Sequence, residues 1–400
     1  MKNFDKLITP IEKINFVNIK DMSMIKHMRK NIGIDVNTYA SLNKIALSFF
    51  KENNLISLKD YRDKIIDYWI AFHTNKANLE QIKTDFSNLY NSKAKNFFII
   101  RSIYGFEDKN IETFEFFNAV LIEKNNLKTY IETKDIDIDI SNELVQKNLK
   151  TLGDFLILLR LEAITQNRAK ELSEEEFEII ENFFNFFAAN KAKSIFIITP
   201  PYMEHSNHVI TLSNNSTSLE VKFGNNPYPM FKFSDIKSKW NKNFDFIFNL
   251  FSIINNSDIA QSLFTAINWI GKANAEKDNT IAFTEYVFAL ECLLYKSSKA
   301  DIITPSILFQ ISTKAAFLLI SNNDENYIEK RKEISKKFKK IYANRSGIVH
   351  GGKTAVEETD IYYIKYYLIK LIEKIINLYN HDKINSHDEL TNYINNLMYK

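Results

Sequence analysis

Four hundred residues with 45% hydrophobic and 14% aromatic side chains supply core for about two or three domains, which excludes a disordered or fibrous chain. Glycine at 8 positions and proline at 6 fall well below the usual roughly 7% and 5%, so a mainly helical chain is expected rather than a turn-dense β sandwich. The 52 basic and 49 acidic residues leave a net charge of +3, so any nucleic-acid contact must come from a local patch, while the single cysteine, Cys292, excludes disulfide frameworks and cysteine-rich zinc sites.

From the N-terminus, Met1 to Lys20 scatters charges among its apolar residues, and no stretch approaches about 18 consecutive apolar residues. Neither export nor a membrane partner is expected, and one cysteine fits the reducing cytoplasm. Leu42, Ile45, Ala46 and Phe49, then Leu79, Ile82, Phe86 and Leu89, recur at three and four, which predicts amphipathic helices. Residues 96–104 and 112–123 are dense in aromatic and β-branched side chains and flank the charged stretch 107–110, so they read as a hairpin. The alternating 135–140 is a short edge strand or a loop, and 142–191 returns to helical spacing, with Glu174 to Glu176 near a helix start. Residues 194–200, 207–213 and 217–224 are further β-like runs that extend the same sheet. Two of the six prolines lie in 224–229, which marks a boundary near 235. Beyond it, helices are expected at 258–274, 280–297, 303–320, 327–344 and 357–380, with a smaller one at 385–400.

The expected organisation is therefore an α+β N-terminal region, residues 1–235, followed by an all-α helical bundle, residues 236–400. The first region divides further into a helical layer at 1–95 and a mixed β part at 96–230.

Three of the eight glycines, Gly347, Gly351 and Gly352, fall within six residues, beside Arg345 and His350. Gly347-x4-Gly352-Lys353-Thr354 matches the phosphate-loop pattern. That pattern needs a buried strand before its first glycine, whereas 327–344 is lysine-rich with helical spacing, and no strand ending in aspartate follows. Context therefore argues against an ATPase. The other pattern is Arg-x4-His at a helix end. Ile334, Phe338, Ile341 and Arg345 are spaced by four, three and four, so Arg345 projects from an apolar stripe. Its guanidinium needs a partner, either a buried carboxylate or helix carbonyls, or else a bound phosphate. His350 follows Gly347, where the helix is expected to loosen and let the imidazole turn toward the arginine.

The run Arg345-Ser-Gly-Ile-Val-His350-Gly, together with Ala289-Leu290-Glu291 and Trp269-Ile270-Gly271 in earlier helices, resembles the HEPN superfamily, in particular its Apea-like and abortive-infection branch. The resemblance covers about residues 237–380. It implies a HEPN-like bundle acting as a metal-independent RNA endonuclease that dimerises to complete its site, with Arg345 and His350 catalytic and no cofactor or metal. It also implies bacterial antiphage defence or a toxin-like role, with residues 1–235 sensing a phage-derived or other trigger. A non-catalytic HEPN module that binds RNA or a partner protein is the alternative.

Metal-free RNA cleavage needs a base for the ribose 2′-hydroxyl, a cation for the developing charge and an acid for the leaving oxygen. Histidine and arginine from two subunits supply all three. Ser346 either bonds a phosphate or caps a helix end. Tyr342 and Asn344 either steer the imidazole or are ordinary surface residues, and Glu291 either orients Arg345 or His350 or is solvated. Residues 330–340 carry seven basic side chains and one acid, so Lys336, Lys339 and Lys340, with Lys353, form an RNA-guiding groove or a solvated face. Glu204, His205 and His208 have only weak metal-site spacing. The phenylalanines at 183–187 and the tyrosines at 362–367 read as packing. The stripe Ile334, Phe338, Ile341 and the helix around 361–379 offer a patch for a twofold contact.

Overall fold

The computed structural model describes residues 8–14, 25–29, 32–74, 78–108, 111–136, 138–187, 205–213, 216–224, 231–295, 307–352 and 355–398. The molecule is mainly helical. After the small hairpin β1 (Ile25–Arg29) and β2 (Ile32–Asp35) come three helices, α1 (Val36–Glu52), α2 (Leu58–Thr74) and α3 (Leu79–Tyr90). Asp35 starts α1 by accepting hydrogen bonds from the Asn37 and Thr38 amides, each of which lacks a partner inside the helix. Leu42, Ala46 and Phe49 turn inward at helical spacing, and Phe49 stacks on Phe86 of α3 with ring centroids 5.1 Å apart. These helices hold a core of their own around Tyr61, Ile65 and Trp69.

The sheet comprises β3 (Lys95–Ser102), β4 (Phe114–Phe116), β5 (Ala119–Glu123), β6 (Phe155–Ala163), β7 (His205–Ser213) and β8 (Ser216–Gly224). Its order is β4-β5-β6-β3-β7-β8, with every neighbouring pair antiparallel. Between the strands lie α4 (Leu127–Thr133), α5 (Glu143–Leu149) and α6 (Gln166–Phe187). Leu156 and Leu158 of β6 face α4 and α5 with Leu127, Ile131 and Val145, while Ile157 and Leu159 face the larger core that includes α6.

Three expectations are corrected here. Residues 155–163 form a strand inside the stretch read as helical, because β6 is covered on both faces and its apolar run does not alternate. The same misreading put a helix start at Glu174, which lies two turns inside α6. The expected hairpin across 107–110 does not form, since β3 pairs with β6 and β7 while β4 and β5 close their own turn at Phe117, with φ 51°. Around 135–140 the described residues are loop and turn. The β7–β8 hairpin does extend the sheet, as expected; the run 194–200 lies outside the described residues.

From residue 233 onward the described residues form helices: α7 (Phe233–Trp240), α8 (Lys242–Ile253), α9 (Asp258–Ala275), α10 (Asn279–Leu294), α11 (Ile307–Leu319), α12 (Tyr327–Gly351), α13 (Glu358–His381) and α14 (His387–Met398). Ser257 caps α9 and Asp278 caps α10, each accepting from amides of the first turn. The apolar core crosses residue 235 without a break: Phe183 and Phe184 of α6 meet Phe248 of α8, and the same cluster runs on to Leu390 of α14. Gly271 explains how closely α6 and α9 approach, because a Cβ there would sit 1.8 Å from the Asn182 carbonyl oxygen. Polar bonds flank that contact, from Asn182 Nδ2 to Asn268 Oδ1 at 2.9 Å and from Asn274 Nδ2 to the Asn185 carbonyl at 2.9 Å.

Candidate functional site

Helix α12 carries the Arg-x4-His segment. Arg331, Ile334, Phe338 and Ile341 recur at three and four and are buried, which fixes the helix's inward face. The helix does not loosen at Gly347. It continues to Gly351 and closes at Gly352, whose φ of 65° is left-handed and whose N–H donates to the Gly347 carbonyl. Only glycine adopts that conformation without strain. Ser346 is consequently inside the helix and exposed, not an end cap.

The correction matters for the Arg345/His350 pair. On an intact helix, five residues are about 500° of rotation, so the two side chains leave the axis about 140° apart. No hydrogen bond or ion pair joins them among the described residues. Arg345 turns toward α10, where its Nε lies 3.8 Å from Glu291 Oε1 and its guanidinium sits 5.7 Å from the Phe288 ring centroid and 5.9 Å from that of Tyr342. At that separation the contact is an ion pair without a hydrogen bond, and both atoms are buried with no hydrogen-bond partner. Burial pushes the Glu291 carboxyl above its ordinary range, while Arg345 and the neighbouring Tyr342 hydroxyl pull it back. Burial and then Glu291 raise Tyr342 in turn. Tyr342, Glu291 and Arg345 thus form one cluster, with a carboxylate as the arginine's partner.

His350 is exposed on another face. Lys332, Lys336, Lys339, Ala343, Ser346 and His350 follow one another at alternating steps of four and three, and all six are exposed. Lys332 and His350 are 18 residues apart, or five whole turns, so the stripe runs straight for about 27 Å. Lys332, Lys336 and Lys339 make no ion pair among the described residues.

Lys340 and Asn344 lie elsewhere. Lys340 Nζ donates to Asp360 Oδ1 at 3.0 Å and Asn344 Nδ2 donates to Asp360 Oδ2 at 2.7 Å, so both clamp the first turn of α13 onto α12. The bond to Asp360 raises the Lys340 pKa. Lys353 lies outside the described residues, as does Glu204, and the side chains of His205 and His208 are likewise not described. Among the described residues, no group of three His, Cys, Asp or Glu side chains is placed to hold a metal, and no helix is long and apolar enough to cross a membrane.

Two expectations about packing change. Ile334, Phe338 and Ile341 are 7%, 0% and 3% exposed and pack the chain's own core, so they offer no surface to a second copy. Of the tyrosines expected to pack, Tyr367 is buried against Phe338, whereas Tyr362, Tyr363 and Tyr366 are exposed on α13, where Lys337 Nζ lies 5.4 Å from the Tyr363 ring centroid. Sequence reasoning missed Phe288 and Asp360. Phe288 sits one turn before Glu291, a spacing at which it must share that carboxylate's face, whereas Asp360 gave no signal among the acids that open α13. No family model, no curated protein and no solved structure matches the chain.

Proposed function

We propose that the chain is a metal-independent RNA endonuclease whose site is completed when two copies pair. The observation that supports this reading is the exposed stripe on α12, where Lys332, Lys336 and Lys339, without an ion pair among the described residues, lead in a straight line to Ser346 and His350. Such a row neutralises successive phosphates of an RNA strand and delivers its backbone to the imidazole. In-line cleavage needs an acid and a base, and one chain supplies a single histidine here, turned away from its own Arg345. Two copies about a twofold axis supply both imidazoles and both guanidinium groups. Val349 and Tyr362, Tyr363 and Tyr366 of α13 are exposed apolar surface on which such a contact would form. A HEPN-like bundle and a role in antiphage defence, with residues 1–235 receiving the trigger in the cytoplasm, come with the resemblance of the Arg345–Gly351 segment.

One observation favours the second reading, a non-catalytic module that binds RNA or a partner protein: Glu291, Phe288 and Tyr342 already give Arg345 a structural occupation. Subunit exchange separates the two. Mixing wild type with His350→Ala is expected to lower RNA cleavage more steeply than the wild-type fraction falls. A strictly linear loss in a verified exchange, or full activity from a monomer, would contradict the composite site.

A further inference from the structure

A groove of about 600 Å³ opens between α11, α12 and the end of α14. Along α12 it begins at Lys339, about 9 Å from Arg345, and runs on past Lys332, about 20 Å away. Arg331, Lys332, Lys336 and Lys339 form one wall, and no carboxylate is among its lining residues. Phe317, Ile328, Leu397 and Met398 form the apolar remainder, with Ile328 and Met398 49% and 37% exposed.

Arg331 sets the character of this groove. It is 8% exposed, yet its hydrogen-bond acceptors are neutral: the Ile320 carbonyl accepts from Nε and Nη2, and Asn322 Oδ1 accepts from Nη2 at 2.6 Å. Its guanidinium lies 4.0 Å from the Phe317 ring centroid and 5.1 Å from that of Tyr327, so it is held in one orientation. Among the described residues no carboxylate is ion-paired to it, and burial draws its pKa down while Tyr327 and Asp324 pull it back. A buried cation with no ion-paired carboxylate among the described residues, only the more distant charge of Asp324, stands behind three lysines that form no ion pair there either, an arrangement that favours a bound anion. The apolar wall gives that anion a body, and the volume lies within the roughly 300–1,000 Å³ of small-molecule sites.

The geometry points to a binding site for a small phosphorylated molecule with an aromatic or aliphatic body, its phosphates on Lys332, Lys336 and Lys339 and its body against Phe317, Leu397 and Met398. This site stands apart from the nuclease reading, although the two share lysines of one stripe. A nucleotide and an alkyl phosphate present the same chemistry, and the test distinguishes them.

Calorimetric titration of the full chain with ATP, decyl phosphate and pyrophosphate tests the proposal. At least one of the first two is expected to bind saturably with a Kd below about 1 mM, and pyrophosphate at least tenfold more weakly. Tighter binding of ATP marks a nucleotide site, and tighter binding of decyl phosphate a lipid-like one. Met398→Asp, at an exposed position, is expected to weaken that ligand at least tenfold while leaving RNA binding unchanged; Lys332→Gln with Lys336→Gln weakens both. No saturable binding, equal binding of pyrophosphate, or a Met398→Asp protein that binds like wild type would overturn it. RNA digestion is read in a separate assay, so failure of either proposal leaves the other standing.

Discussion

Arg345 and His350 leave one unbroken helix about 140° apart, the arginine toward Glu291 on α10 and the histidine toward solvent in line with Lys332, Lys336 and Lys339. A single chain therefore carries the two signature residues on different faces. The exposed stripe is open to solvent, while Arg345 is fixed by a carboxylate and two rings.

The lysines are predicted to differ in effect. Lys336→Gln with Lys339→Gln is expected to reduce the slope of log binding constant against log salt by about 1.4 for single-stranded RNA, at about 0.7 per phosphate contact. Lys340→Gln should leave that slope near wild type and lower stability by about 0.5–1.5 kcal/mol, because its amine bonds Asp360. Titrations at several salt concentrations and urea denaturation check the two halves.

Removing the partner of Arg345 has its own signature. Glu291→Ala leaves a largely buried guanidinium without its carboxylate, and a loss of about 1–3 kcal/mol in urea denaturation is expected. Glu291→Gln, which keeps the shape, should lose less. If neither variant changes stability, the ion pair contributes nothing to the fold.

The close contact of α6 with α9 predicts that Gly271→Ala destabilises the protein by about 1–3 kcal/mol, since the added methyl meets the Asn182 backbone rather than a side chain that can move. An unchanged denaturation midpoint would contradict this packing.

Glu285 gives the pH dependence. The residue is 6% exposed, and burial raises its carboxyl pKa from 4.5 to about 7, with Lys272 pulling it back and Glu276 adding to the rise. A carboxyl raised on folding holds its proton more tightly in the native state. Its contribution to stability is therefore complete below about pH 4.5 and is lost as pH rises through about 7. Across that window wild type should lose up to about 3 kcal/mol relative to Glu285→Gln in parallel urea titrations.

Much of the fold is legible because helices such as α9 and α13 bury one face, while α10, buried nearly all round, is marked by its Asp278 cap. The helices α9, α10, α12 and α13 each present periodic apolar residues or a capping side chain, and their expected starts fall within a residue of those observed. Strand β6 was not legible, since burial on both faces erases the alternation that marks a strand. In the candidate site, Glu291 beside Arg345 is one of the alternatives that the sequence offers, whereas Tyr342, expected to steer the imidazole or to lie on the surface, joins the arginine instead. The direction of His350 was misjudged because Gly347 suggests a helix end, while the cap that ends α12 is Gly352. Which lysines are free depends on Asp360, 20 positions from Lys340, and no local pattern reveals such a partner.

The central claim is tested most directly by incubating RNA in EDTA with the purified full-length protein and with its Arg345→Ala and His350→Ala variants, each confirmed to be folded and in the same oligomeric state. The account predicts cleavage by wild type without metal or nucleotide, and a loss of at least about 100-fold in each variant, because the proposed site uses both side chains for transition-state charge and proton transfer. Cleavage that persists at the wild-type rate in either variant would contradict it.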